Sequence, residues 1–167
     1  QGAYNKEDLV MTIYDLRIYE LGCVERVTRQ DCVEICRQDL ACVSAIFNST
    51  DSNGKGTCCA IMANAFTLSG KCTGLFTSPH LISVNERIRI DGSPIADVLF
   101  EDCLKQIQEA SEIVPEISPT FYEATFLVAM LAFRDQGVER AVIETGLGGR
   151  LDATRLVDAD CCILTEI

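Results

Sequence analysis

Residues 51–57 read Asp51-Ser52-Asn53-Gly54-Lys55-Gly56-Thr57, between an apolar run at 43–47 and a stretch of helical composition at 57–68. The apolar run is typical of a buried strand, so the segment predicts a strand, a glycine-rich loop and a helix in succession. Such a loop suits phosphate binding, because glycines let backbone N–H groups approach phosphate oxygens and a helix N-terminus favours an anion. The spacing departs from GxxxxGK[ST], because Gly56 separates Lys55 from Thr57. The motif alone therefore leaves two interpretations open, a phosphate-binding loop and a surface turn.

The alternation of strand and helix continues along the chain. Apolar runs predict further strands at 72–76, 81–90, 138–145 and 160–165. A helix is predicted over 97–114, where apolar residues recur at steps of three and four: Leu99, Cys103, Ile107, Ala110 and Val114. This order predicts an α/β fold of three layers, with a mostly parallel sheet and helices on both of its faces.

A further helix is predicted to begin at Ser118-Pro119, with the proline in its first turn, and to end near residue 135. Thr120 and Glu123 have the spacing of a capping box in this segment. The start of the chain has a different character, with helical patterns and several cysteines. We therefore predict two parts, a helical, cysteine-containing segment at 1–42 and an α/β domain at 43–167.

The composition excludes some classes of partner. The chain is 48% hydrophobic and 23% charged, the balance of a globular protein, and its formal net charge is −11. Such an acidic surface repels nucleic acids and anionic lipids, and no apolar run approaches the roughly 18 residues of a transmembrane helix. The ten cysteines include no CxxC pair and His80 is the only histidine, so the spacing of a zinc finger or ribbon is absent.

Four blocks of sequence resemble the folylpolyglutamate synthase and dihydrofolate synthase family, which consists of ATP-dependent ligases of the Mur ligase superfamily. In chain order they are GLFTSPHL at 74–81, NERIRI at 85–90, SPTFYEA at 118–124 and ETGLGGRLDAT at 144–154. Their order and spacing favour the phosphate-binding interpretation of residues 53–57. The resemblance implies a P-loop-type fold and makes 43–167 a partial ATP-binding ligase domain.

The resemblance also implies a chemistry. Such ligases phosphorylate a carboxylate with ATP, and an amine then attacks the acyl phosphate. Here the carboxylate would belong to dihydropteroate or a folate and the amine to glutamate, with ATP and Mg²⁺ as cofactors. Charge on the phosphates must be neutralised while one phosphoryl group passes to another anion, which is the role implied for Lys55.

The family places its site residues at positions that this sequence matches. The nucleotide would lie against Asn53, Gly54, Lys55, Gly56 and Thr57. The magnesium ligands implied are Thr57, Ser78 and Glu144, whose hydroxyl and carboxylate oxygens suit that hard ion. The substrate contacts implied are Ser78, Pro79, His80 and Asp152, with the carboxylate of Asp152 facing the N–H donors of an aminopterin edge.

Several of these residues also have an ordinary structural interpretation. Ser78-Pro79 fits a simple turn, and His80 fits loop packing as well as catalysis. Arg87 and Arg89 alternate with isoleucines, as in any half-exposed strand. Glu144 is harder to explain structurally, because a carboxylate near the end of a buried strand needs a partner or a metal.

The match to the family has departures. Asp51 stands where the family has the first glycine of its phosphate loop, and its charge and β-carbon oppose phosphate binding. Residues 23–49 do not resemble the family's preceding strand. The sequence ends at Ile167, before the histidine that completes the family's magnesium site and before its C-terminal domain. We therefore expect that this polypeptide alone does not ligate glutamate.

Two alternatives remain. The spacing Cys32-x3-Cys36-x5-Cys42, followed by Cys58, is similar to PAN or apple modules at residues 20–60, which are extracellular disulfide-linked binding domains. The other alternative is a pseudoenzyme that keeps the ligase fold without nucleotide binding. The ligase interpretation predicts a monomer with small-molecule partners, located in the cytoplasm or, alternatively, the mitochondrion.

Two geometric expectations follow. Thr57, Ser78 and Glu144 should converge at the carboxyl ends of neighbouring parallel strands, where open α/β sheets bind ligands. Five apolar residues of one helix and two inner strands should be buried: Phe121, Val128, Ala132, Val142 and Ile163.

Overall fold

The computed structural model describes residues 25–26, 52–113, 118–146 and 152–164. The predicted strand at 43–47 and the helical patterns predicted within 1–42 lie outside the described residues. The helices are α1 Ser52–Leu68, α2 Asp97–Ile113 and α3 Phe121–Asp135. The strands are β1 Glu25–Arg26, β2 Thr73–Phe76, β3 Ile88–Ile90, β4 Ser93–Pro94, β5 Arg140–Ile143 and β6 Ile163–Leu164. Short 3-10 turns occupy Val84–Arg87 and Ala153–Leu156.

The central sheet has the strand order β4-β3-β2-β5, and β2 and β5 pair in parallel. The pairs β2–β3 and β3–β4 are antiparallel, so the sheet is mixed where the sequence predicts a mostly parallel one. For β3 and β4 the reason is the tight turn between them, in which Asp91 and Gly92 have φ of 48° and 81°. A hairpin of this kind can only join antiparallel strands. Separately, β1 pairs with β6 in parallel.

Helices cover both faces of the sheet, which confirms the three-layer α/β architecture. Successive strand residues point to opposite faces. Leu75 and Val142 accordingly pack under α1 in one apolar cluster, while Phe76 and Ile143 pack under α2 and α3 in another. Gly74 permits the close approach of α3, since a β-carbon there would lie 2.8 Å from the ring of Phe133.

Most of the predicted elements have different limits in the structure, and three of the differences are substantial. Helix α1 begins at Ser52, so residues 52–56 form its first turns instead of the predicted loop. The capping box of Thr120 and Glu123 is present, but α3 begins after Thr120 and Pro119 lies ahead of it. Over 81–90, only the last three residues form a strand. The preceding turn folds instead into a 3-10 helix with its own capping box, made by Ser83 and Glu86.

Four of the five predicted core residues are fully buried: Val128, Ala132, Val142 and Ile163. The prediction for Phe121 is wrong, because its side chain is 61% exposed at the first position of α3. The next residue, Tyr122, does pack against Phe76 of the sheet, so the side of the helix on which a residue lies decides its burial, and hydrophobicity alone does not. Among the described residues, no helix has the length and apolar character required to span a membrane.

Candidate functional site

The candidate site lies where β2 and β5 end at the same edge of the sheet. Glu144 directly follows β5, and its backbone N–H donates to the carbonyl of Phe76 at 2.8 Å, which extends the pairing of the two strands. Ser78 follows β2, and its backbone N–H donates to Glu144 Oε2 at 3.0 Å. The parallel pairing therefore joins residues that are 66 positions apart, as expected for the carboxyl edge of such a sheet.

The first turns of α1 complete this edge. Lys55 is 8% exposed, and its Nζ donates to the carbonyl oxygen of Thr145 at 3.1 Å. A β-carbon on Gly56 would lie 3.6 Å from Glu144 Oε2, so the helix backbone runs in contact with that carboxylate. Thr57 is the next residue of the helix. The structure thus brings Lys55, Gly56, Ser78 and Glu144 together. Of the three residues predicted to converge, Ser78 and Glu144 are in contact, and Thr57 is an exposed residue of the adjacent helix.

The carboxylate of Glu144 is buried without complete electrostatic compensation. The residue is 2% exposed, and burial raises its pKa, while the Ser78 N–H and the charge of Lys55 act in the opposite direction. Its hydrogen bond involves Oε2 only, so Oε1 has no hydrogen-bond partner among the described residues. A largely buried carboxylate whose second oxygen is still able to accept favours a positively charged ligand.

The oxygen donors at this edge fit a magnesium ion. Glu144 supplies a carboxylate and Ser78 a hydroxyl, and Thr57 supplies a second hydroxyl on α1. The described residues hold no cluster of three or more His, Cys, Asp or Glu that could bind a metal by itself. Magnesium is often held by one or two carboxylates together with phosphate oxygens of a substrate, so a single buried glutamate suits that mode.

A second polar network lies beside the first, around Asp152. This residue is 4% exposed, and its Oδ1 accepts the N–H and the hydroxyl of Thr154 at 3.0 and 2.8 Å. The phenol of Tyr122 donates to the same oxygen at 3.1 Å, and the Gly146 N–H donates to Oδ2 at 3.0 Å. Together these donors fix the orientation of the carboxylate that the family resemblance assigns to the substrate.

Tyr122 and Gly146 are site residues that the sequence analysis did not identify individually. A β-carbon on Gly146 would lie 2.9 Å from Cζ of Tyr122, so glycine is needed for this close approach. Burial and the neighbouring charge of Asp152 raise the pKa of the Tyr122 phenol, which keeps it a hydrogen-bond donor. Both residues lie within blocks of family resemblance, but no spacing rule marks them.

Two of the remaining predicted residues, Pro79 and His80, lie on the loop after β2. The Ser78–Pro79 peptide is cis, and Pro79 is exposed. His80 Nδ1 accepts a hydrogen bond from Arg87 Nε at 2.8 Å, and its ring contacts that of Phe121. Arg87 is 8% exposed, which corrects the interpretation of this arginine as part of a half-exposed strand. Asn53 and Gly54 belong to the first turns of α1.

The fold and the position of this site define a class, a three-layer α/β domain with its polar site at the carboxyl edge of a parallel strand pair. No family model matches the chain. A curated relative, the dihydrofolate synthase/folylpolyglutamate synthase of Buchnera aphidicola from Acyrthosiphon pisum, is 37% identical over 124 residues. That match covers 74% of this chain and 29% of the relative, so the chain spans under a third of its length.

Solved structures give the same result. Escherichia coli FolC in complex with DHPP and ADP is 27% identical, with a TM-score of 0.63 over 93% of this chain and 37% of that chain. The bifunctional folylpolyglutamate synthase/dihydrofolate synthase of Yersinia pestis, complexed with AMPPNP and Mn ion, is 30% identical, with a TM-score of 0.62 over 93% of this chain and 38% of that one. Over the matched part, the chain belongs to the folylpolyglutamate synthase/dihydrofolate synthase family.

The alternative of a disulfide-linked module has less support than the ligase family. In that interpretation Cys58 belongs to the disulfide framework. In the structure Cys58 is a buried thiol of α1, packed in the apolar cluster between α1 and the sheet. The structure does not describe the other cysteines of that spacing, which lie before residue 51.

Proposed function

We propose that this chain supplies the nucleotide-binding and substrate-binding part of an ATP- and Mg²⁺-dependent ligase that joins glutamate to dihydropteroate or a folate. Membership of the family supports the reaction class. The observation that carries the proposal is the meeting of Lys55, Gly56, Ser78 and Glu144 where the carboxyl ends of β2 and β5 face the start of α1. The partners are small molecules, and we propose a monomer in the cytoplasm, with the mitochondrion as the alternative.

The residues at this edge suit phosphoryl transfer to a carboxylate. Lys55 holds its ammonium group at a backbone carbonyl, an acceptor that it can exchange for phosphate oxygens when a nucleotide lies against the N-terminus of α1. Glu144 Oε1, with the hydroxyls of Ser78 and Thr57, would hold Mg²⁺. When bound, that ion would neutralise charge on the phosphates.

The nearby loop and network suit the acceptor substrate. We propose that Asp152, fixed by its four donors, accepts the N–H groups of the aminopterin edge. Ser78, Pro79 and His80 would line the path from that edge to the phosphates, because Ser78 also contacts Glu144. In the reaction, the carboxylate takes the γ-phosphoryl group and the glutamate amine then displaces phosphate to form the amide.

Nucleotide binding by this chain tests the proposal, with a pair of lysines as variant and control. Lys55→Ala removes a buried charge from the site, so the affinity for Mg·ADP in calorimetry should fall by about 100-fold, the scale for truncating one buried charge. Lys71→Ala changes a partly exposed lysine at the opposite end of the sheet, and the affinity should stay within about twofold. Equal effects of the two substitutions would contradict the assignment.

The pseudoenzyme alternative makes a different prediction for the same experiment. An unsubstituted chain that binds no nucleotide would favour it. Asp51→Gly then separates two causes, since replacing the aspartate restores the family's glycine and removes a negative charge near the phosphates. Tighter Mg·ADP binding by this variant would identify Asp51 as the residue that weakens the loop.

A further inference from the structure

One peptide group, between Thr145 and Gly146, joins the two polar networks of the site. Its carbonyl oxygen accepts a hydrogen bond from Lys55 Nζ at 3.1 Å, and its N–H donates to Asp152 Oδ2 at 3.0 Å. Thr145 has no exposed surface, and Lys55 and Asp152 are 8% and 4% exposed. A cation and a carboxylate from distant parts of the chain are therefore connected through a single amide, in surroundings from which water is nearly excluded.

This amide transmits the effect of a charge from one of its ends to the other. The carbonyl and the N–H of a peptide group belong to one planar, conjugated system, so a cation at the oxygen draws electron density away from the nitrogen. Hydrogen bonds connected in this way strengthen one another, and more so where the local dielectric constant is low. Lys55 at the carbonyl of Thr145 therefore strengthens the hydrogen bond from Gly146 to Asp152, and that bond compensates part of the charge on the carboxylate.

The ammonium group of Lys55 has two alternative acceptors in the proposed reaction. One is the carbonyl of Thr145, which is neutral, and the other is a phosphate oxygen of the nucleotide, which is charged. Hydrogen bonds between two ionised groups are the stronger kind, so a bound nucleotide favours the second acceptor. Once Lys55 leaves the carbonyl, the Gly146 N–H becomes a weaker donor, and Asp152 Oδ2 becomes a better acceptor for another N–H group. The lysine is thus an element with two states that a ligand can bias.

We propose that the Thr145–Gly146 peptide couples the nucleotide site to the acceptor site, so that a nucleotide, by withdrawing Lys55, strengthens the binding of the pterin ring at Asp152. This inference rests on the proposed function and deepens it, because it gives Lys55 an effect on the acceptor site in addition to its contact with the phosphates. Coupling between two binding equilibria is reciprocal, so the pterin must strengthen nucleotide binding by the same factor.

A second chain of hydrogen bonds reaches Asp152 from the hydroxyl groups of two buried threonines. The Thr154 hydroxyl donates its hydrogen to Asp152 Oδ1 at 2.8 Å, so in its 3.2 Å contact with Thr145 Oγ1 it is the acceptor and Thr145 the donor. This chain begins at the side chain of Thr145, whereas Lys55 contacts the main chain of that residue. The hydroxyl chain therefore holds Asp152 in place whichever acceptor Lys55 uses, and Thr154 provides a control residue.

The test measures the affinity for pterin by fluorescence titration, with and without saturating Mg·ADP. Pterin lacks the benzoate, so repulsion between a carboxylate and the phosphates does not enter the measurement. Mg·ADP should tighten pterin binding to the unsubstituted chain by about 5- to 10-fold, at the lower end of the range for coupled sites. Lys55→Met keeps the length of the side chain and removes its charge, so it should tighten pterin binding without nucleotide by a similar factor and abolish the further effect of Mg·ADP. Thr154→Val, the control, should keep the factor.

The outcomes separate this inference from the proposed function. If the unsubstituted chain binds both ligands but Mg·ADP does not tighten pterin binding, or if Lys55→Met weakens it, the inference is overturned and the proposed function stands. Loss of the factor in Thr154→Val would assign the coupling to the hydroxyl chain and overturn the inference as well. If the unsubstituted chain binds no pterin in either condition, both the inference and the proposed function fail.

Should Lys55→Met not fold, the amide proton of Gly146 in the unsubstituted chain supplies a second measurement. Carbonyl-13C threonine with 15N glycine labels only two peptide groups of the chain, Thr73–Gly74 and Thr145–Gly146, and Thr73→Ser tells them apart. Mg·ADP without pterin should move the Gly146 amide proton upfield, since its hydrogen bond weakens, and leave that of Gly74 in β2 fixed. A downfield shift of Gly146, no shift, or an equal shift of both protons would overturn the inference.

Discussion

Two glutamates bracket β5 and form the same hydrogen bond in opposite surroundings. Glu139 precedes the strand and accepts the Cys72 N–H at 3.0 Å, and Glu144 follows the strand and accepts the Ser78 N–H at 3.0 Å. The pKa of Glu139 is lowered, chiefly by that hydrogen bond and by Lys71, whereas burial raises the pKa of Glu144. Burial, not the hydrogen bond, therefore distinguishes the two ends.

The lysines near the two ends of β5, Lys71 and Lys55, also differ in burial. Lys71 forms an exposed ion pair with Glu139 at 3.6 Å, and such pairs contribute little to stability. Lys55 is buried and contacts a carbonyl oxygen in place of a carboxylate. Charges that are buried with incomplete compensation destabilise a fold, so their concentration at the carboxyl end indicates a site kept for ligands.

Removing apolar packing from the middle of β5, between its two ends, should lower the stability of the protein more than the other substitutions. Val142 lies in β5 with no exposed surface, so Val142→Ala leaves a cavity that the sheet and α1 cannot fill. We expect the free energy of unfolding to fall by about 1–4 kcal/mol in urea denaturation. Val98→Ala is the control, because Val98 is 68% exposed, and its substitution should leave stability nearly unchanged.

Gly146→Ala should disrupt only the polar network at the carboxyl end of β5. The new β-carbon would lie within about 3 Å of Tyr122 and Asp152 and displace both from their network. We expect a loss of about 1–3 kcal/mol, as for other overpacking substitutions. Gly54→Ala should not destabilise the protein, since Gly54 lies in α1 with no side chain within 4 Å. Equal thermal stability of the two variants would show that Gly146 is not constrained.

Tyr122→Phe removes one hydroxyl from the same network. Asp152 keeps its donors from Thr154 and Gly146, so the expected loss is about 1 kcal/mol, the usual contribution of one hydrogen bond. Thermal unfolding by calorimetry measures it. A gain in stability would mean that the phenol is strained against Gly146, whose N–H also donates to it at 3.1 Å.

The direction of a small change in Tm gives a further comparison of Glu144 and Glu139. The folded-state pKa of Glu144 lies above its ordinary 4.5, so its ionisation costs stability as pH rises from 4.5 through that raised value. Glu144→Gln removes this cost and should raise Tm at pH 7. The folded-state pKa of Glu139 is lowered, so its contribution is present above pH 4.5 and is lost as pH falls through the lowered value.

Glu139→Gln should accordingly leave Tm at pH 7 unchanged or slightly lower, because the group is exposed and screened. Scanning calorimetry of both variants between pH 4 and 8 gives the two signs. The same sign for both would refute the argument that burial separates the two ends.

Features that depend on neighbours in sequence were predicted correctly. The capping box of Thr120 and Glu123 forms within one turn, and the apolar stripe of α2 buries Cys103, Ile107 and Ala110 as its spacing predicts. The buried position of Glu144 at the end of an apolar strand was also predicted. Each of these results follows from local periodicity or capping, which the chain imposes before it meets distant residues.

Features that depend on distant neighbours were not predicted. The alternation of Arg87 with Ile88 predicted an exposed arginine, but the capped 3-10 turn rotates it inward against His80 and Phe121. Hydrophobicity predicted a buried Phe121, although its side chain is exposed while that of the next residue, Tyr122, packs against Phe76 of the sheet. The polar residues 52–56 were predicted as a loop, whereas they lie in the first turns of α1.

The sequence by itself determined the α/β class, the family and the residues that carry charge, because periodicity and short motifs are properties of neighbouring positions. The apolar strand before Glu144 already indicated that this charge is buried, but only the tertiary structure decided that Lys55 and Arg87 are buried as well. Glu139 and Glu144 differ by five positions and accept the same kind of hydrogen bond, yet Glu139 is exposed, whereas Glu144 is buried in contact with the backbone of α1. Burial depends on what packs over a residue from elsewhere in the chain, and it changes the free energy of a charge more than any local contact does.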